Sequence, residues 1–97
     1  MSMDKIVLEE AARLLLGPEW KRPLAKLLGP HHPAGPRDSL DPRLAFRWAS
    51  GERPIPGWVP GVLADMLIHR AELLAHQSEQ ALALSARLMK EERDAVG

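Results

Sequence analysis

Within DPRLAFRWASGERPIP, residues 41–56, Arg43 and Arg47 stand four apart and fall on one side of any helix drawn through them. A guanidinium donates through a planar fork that fits phosphate oxygens or the O6/N7 edge of guanine. The same short helix could also serve only to plug a small core, with Arg43 and Arg47 as solvated charges paired with Asp41 or Glu52. Further cations, Lys21, Arg22, Lys26 and Arg53, lie on either side in the sequence.

Other chemistries fit the residues poorly. His31 and His32 are adjacent, and His69 and His76 are seven apart, with no H-E-x-x-H pattern. With no cysteine in the chain, disulfides and thiolate metal sites are excluded. Ser39, His32 and Asp38 could be assembled into a triad only by free choice, and no Gly-rich loop follows a strand. The reading is therefore a non-enzyme without cofactor or metal.

The formal net charge is zero over 97 residues, yet its distribution is uneven. Residues 1–12 carry one Lys against three acids (−2), residues 13–53 eight Lys or Arg against four acids (+4), and residues 54–97 four against six (−2). A basic centre between acidic ends suits a polyanionic partner. No stretch approaches 18 consecutive apolar residues and no leader pattern stands at the N-terminus, so a cytoplasmic protein with no membrane partner is expected. The acidic side of the C-terminal segment, with Glu72, Glu79, Glu91 and Glu92, also disfavours anionic lipid.

The elements that must position these residues are helical. Asp4 is placed to cap a first helix, with Ile6 or Val7, Glu10 or Ala11, and Leu14 or Leu15 at helical spacing, before Gly17 and Pro18 break it. In WKRPLAKLLG, Pro23 suits a first turn, Leu24, Leu27 and Leu28 form an apolar face, and Gly29 suits the position after the helix. GPHHPAGPRDSL, residues 29–40, has too much Pro and Gly for a regular element of useful length. Asp41 then caps and Pro42 opens a third helix that runs to about Ala49 and stops at Ser50 and Gly51. ERPIPGWVPG follows as a rigid connector whose Ile55, Trp58 and Val59 form a small apolar lid. From about Pro60 to Asp94 the composition predicts one long helix, or two with a joint near residues 76–78. Its heptad seam through Leu63, Arg70, Gln77 and Leu84 is polar in the middle, so docking over residues 62–74 and pairing with a second copy near residues 81–89 are expected. Trp20, Trp48 and Trp58 supply the aromatic part of the core.

A short helix, a break and a second short helix with cations between them is the outline of a helix-turn-helix. WKRPLAKLLG followed by DPRLAFRWASGERPIP resembles the regulators of the lambda repressor/Cro class, particularly small phage-associated and proteobacterial members, over roughly residues 11–60. The resemblance rests on Trp20, Leu24-Ala25, Leu28-Gly29, Arg47-Trp48 and Ser50-Gly51, in that order. It implies an all-α fold: a helix-turn-helix DNA-binding region over residues 4–60 and a long C-terminal helix over residues 61–95 for packing and dimerisation. Leu24, Ala25 and Leu28 would be the buried scaffold face, and Ala45, Trp48 and Ala49 would seat the recognition helix. Pro42, Arg43, Leu44, Phe46 and Arg47 would lie on or beside the exposed face, entering the major groove of double-stranded DNA, with Lys21, Arg22 and Arg53 near its backbone. The implied function is a homodimeric transcriptional regulator, a repressor in the simplest case.

Two features differ from that class. The turn is expanded by the insertion at residues 30–40, which could be a wing, an obstacle to the groove or a site for a protein partner. Phe46 stands where a polar or basic side chain is usual, and it suits a thymine methyl or a protein surface equally. The alternative is therefore a protein-interaction adaptor that kept the scaffold and lost specific reading.

Overall fold

The computed structural model describes residues 3–96. They form four α-helices: α1 (Lys5–Leu16), α2 (Lys21–Leu28), α3 (Arg43–Ser50) and α4 (Val59–Val96). No strand occurs among the described residues, and the fold is all-α. It divides into a compact unit ending at Leu67 and a second unit, the remainder of α4 from Ile68.

In the first unit α1, α2 and α3 pack against one another. Asp4 caps α1 as its sequence position predicts, with Oδ1 accepting from the Ile6 N–H at 2.9 Å. The buried face of α1 is Leu8, Ala11 and Ala12, backed by Leu15 and Leu16. Of the alternatives the spacing left open, Ala11 and Leu15 lie on this face and Ile6, Val7 and Leu14 are exposed; in the first turn Leu8 is the buried residue, where Ile6 or Val7 was expected. Two alanines in succession let neighbouring helices come close, which larger side chains would prevent. On α2, Leu24, Ala25 and Leu28 are buried and Leu27 is partly covered. Trp20 lies just ahead of that helix and is 1% exposed. Trp48 of α3, Leu40, Ile55, and Val59 and Leu63 at the start of α4 complete the core. Burying each large aliphatic side chain of this set contributes about 1.5–3 kcal/mol.

Gly29 follows the end of α2 as its position suggests, and it has a second part as well. Its φ of −50° is right-handed, and the chain continues into a single 3-10 turn, Gly29–His31. A Cβ there would lie 2.7 Å from the Ser39 Cα and 2.8 Å from the Arg37 carbonyl oxygen. The missing side chain thus admits the returning loop. That loop is fastened to α2: the Arg37 N–H donates to the Gly29 carbonyl at 3.0 Å and the Leu40 N–H to the Ala25 carbonyl at 2.9 Å.

Helix α3 ends as expected, at Gly51 with φ +80°. In the connector, Ile55 and Val59 are buried, while Trp58 is partly covered and meets His32 edge-on at 5.5 Å. Helix α4 is unbroken from Val59, with no joint at residues 76–78. Its docked portion is Val59 and Leu63, flanked by Val62, Met66 and Leu67. Residues 68–95 are all exposed.

Candidate nucleic-acid interface

Helix α3 has two unlike faces. Ala45 and Trp48 turn inward, 1% and 3% exposed, and Leu44 and Ala49 pack against the same core. Pro42, Arg43, Phe46 and Ser50 are exposed and Arg47 is half-buried. Leu44, expected on or beside the exposed face, is partly buried in a crevice with His32, Trp48, Pro56 and Trp58, on the packed side. Three inward positions in the run 44–48 make the buried arc wider than the carry-over from the resemblance allows.

Arg43 and Asp41 form a closed local unit. Arg43 Nη2 lies 3.1 Å from Asp41 Oδ2, Nε donates to Oδ1 at 3.3 Å, and the Arg43 N–H donates to Oδ1 at 3.0 Å. The hydrogen bond from the Arg43 side chain, joined by that from its backbone, lowers the Asp41 carboxyl below the ordinary aspartate value; the same pairing raises Arg43. Asp41, one residue ahead of the N-cap Pro42, thus accepts the first N–H of α3 and occupies the guanidinium fork at once. Arg47 adds a smaller through-space contribution in the same direction.

Helix α2 brings further cations to this face. Lys21 Nζ stands 5.2 Å from the Phe46 ring centroid and 5.8 Å from that of Trp20, bridging α2 to α3 through cation–π contact. Arg22, Pro23 and Lys26 line an open groove of about 650 Å³ together with Ser39, Pro42, Arg43 and Phe46. A neighbouring depression holds Lys21, Arg22, Pro23 and Phe46 beside Arg13 and Glu19. Arg13 is held by Glu9 at 2.9 Å. The expected residues Pro42, Arg43, Phe46, Lys21 and Arg22 therefore come together.

Arg53 does not join them. It lines a separate depression with Lys5, Trp48, Gly51 and Ile55 that shares no residue with the groove. Its backbone explains the placement, since the Arg53 N–H donates to the Arg47 carbonyl at the C-terminal end of α3. Lys26 is the groove residue that sequence reasoning omitted from the site, although its i, i+4 relation to Arg22 was the available signal. The inserted loop contributes only Ser39 to the groove lining. Leu40 at its end is buried, and its backbone bonds go to α2, so the insertion leaves the outward side of α3 uncovered.

Among the described residues no group of three or more His, Asp or Glu could hold a metal, and no helix is long and apolar enough to cross a membrane. Comparison with protein-family models, with curated proteins and with solved structures finds no match to this chain.

Proposed function

We propose that this chain is a sequence-specific double-stranded DNA-binding protein that works as a homodimer and regulates transcription, as a repressor, by occupying an operator. The observation that carries this reading is the outward face of α3, where the exposed Arg43 and Phe46 stand beside Lys21, Arg22 and Lys26 of α2, with the half-buried Arg47 one turn on from Arg43. A helix of that width enters a major groove about 12 Å across. Lys21, Arg22 and Lys26 neutralise phosphates and set the register; Arg47 reads a base edge; Phe46 packs on a thymine methyl. Arg43 must first exchange Asp41 for a phosphate or a guanine. That exchange makes Asp41 a brake on indiscriminate binding, because any polyanion has to compete with a pre-formed bidentate partner. In a two-fold dimer the recognition helices address half-sites one turn, about 34 Å, apart or a multiple of that.

The adaptor reading has one observation in its favour: Pro23, Pro42 and the exposed Phe46 give the same groove apolar walls. Salt dependence separates the two. With Lys21, Arg22 and Lys26 of each protomer on phosphates, about six contacts per dimer, DNA binding gives a log–log slope against salt of roughly −5. An adaptor gives weak duplex binding at every salt concentration, and instead binds a protein partner through Phe46 and the loop at residues 30–40.

A further inference from the structure

The exposed part of α4 carries a pattern that specifies its own partner. Residues 68–95 form about 42 Å of helix, at about 1.5 Å per residue, none of it buried. At 100° per residue, Ile68, Leu74, Leu82, Leu88 and Met89 fall within one arc of about 160°, each more than half exposed, with Arg70 at its margin and the exposed Leu73 and Leu84 outside it. Ala71, Ser78 and Ser85 lie along the middle of that arc, spaced seven apart, and allow close approach of a second helix. An aligned apolar face of this length marks an interaction surface.

Charge selects the occupant and its direction. One edge of the face carries Glu72 and Glu79 in its first half and Lys90 and Arg93 in its second. Laid against a second copy running the opposite way, the acids of one chain face the bases of the other. Laid parallel, this edge instead faces the other edge of the partner's seam, around Arg70, Gln77 and Leu84. Glu92 continues the Ala71, Ser78, Ser85 row. In a parallel pair two Glu92 carboxylates would meet in the seam, whereas in an antiparallel pair Glu92 lies towards the Ala71 end of its neighbour. We infer that residues 68–95 pair with a second copy of the chain as antiparallel helices, with the two-fold axis near Leu82.

This inference rests on the homodimer part of the proposed function and is independent of DNA binding. It places the two Ile68 residues about 40 Å apart along the helix direction, at opposite ends of the pair.

The chain has no cysteine, so a single introduced thiol is a unique spin-label site. His69→Cys and Ala83→Cys both lie on the face opposite the apolar arc and leave the seam intact. In the full-length protein, the antiparallel arrangement gives a dipolar distance of about 20 Å for the label at residue 83 and 40 Å or more at residue 69. Equal short distances at both positions would establish a parallel dimer and overturn the inference while leaving the dimer. A folded monomer, with no intermolecular distance at either site, would overturn both. As a second readout, Glu72→Lys weakens dimerisation by up to about fivefold, and adding Arg93→Glu restores it; a further loss in the double variant contradicts the proposed direction.

Discussion

Helix α3 and the exposed part of α4 show opposite ways for a helix to reveal its purpose. In the eight residues of α3, packing accounts for Leu44, Ala45, Trp48 and Ala49, so what remains outside is informative because it was left outside. In residues 68–95 everything is outside, and exposure distinguishes nothing. Only the order of apolar and charged positions carries meaning there. The first helix is read by subtraction and the second by pattern.

The sharpest way to break that contrast is to compare truncations of large side chains in each. Trp48→Ala should destabilise the fold by about 3–5 kcal/mol, whereas Leu82→Ala should change the stability of the monomer by no more than about 0.5 kcal/mol. Denaturant unfolding below the concentration for self-association measures both. Equal losses would mean that residues 68–95 are held by the folded unit after all.

Gly29→Ala should cost about 1–3 kcal/mol, because the new Cβ meets loop backbone that has little room to move. A neutral result would show that residues 37–39 do not press against the end of α2, and the groove would then lose its Ser39 wall.

On the DNA side, Arg47→Ala should weaken specific binding by about 1–3 kcal/mol while sparing random duplex, if Arg47 reads a base. Equal loss on both duplexes would make it a phosphate contact.

The smallest effect concerns Asp41. Asp41→Asn retains a capping side chain, removes one negative charge beside Arg43 and should strengthen binding to random duplex, as read by fluorescence anisotropy. Its pH signature is fixed in sign: the folded-state value is lowered, so the stabilisation is present above the ordinary aspartate range. It is lost as the pH falls through the lower folded-state value, and Asp41→Asn should be insensitive to that fall.

The helix boundaries were legible because caps and breakers mark them locally: Asp4, Asp41, Gly17 and Gly51 stand where the sequence places them. The phase of α1 was not, since Ile6-Val7-Leu8 and Leu14-Leu15-Leu16 offer apolar residues on several sides and only the neighbouring helices choose among them. Gly29 ends α2 where the sequence places it and is also a contact point, a second role set by a loop eight to ten residues away. The site was half legible. Arg43 and Arg47 follow from i, i+4 spacing, but the placement of Lys21 over Phe46 depends on how α2 crosses α3, and no local pattern encodes that. Leu44 lies on the packed side of α3 and Arg53 lines a depression apart from the groove for the same reason: the packing of α3 against its neighbours decides which sides face outward.

The central claim is that the uncovered face of α3 reads DNA. Iterative selection from random-sequence duplexes, at about 0.1 M salt where phosphate contacts alone discriminate little, tests it most directly. Enrichment of a two-fold-symmetric site is the expected result; no enrichment from folded protein would contradict the claim and leave DPRLAFRW as core and protein-contact surface.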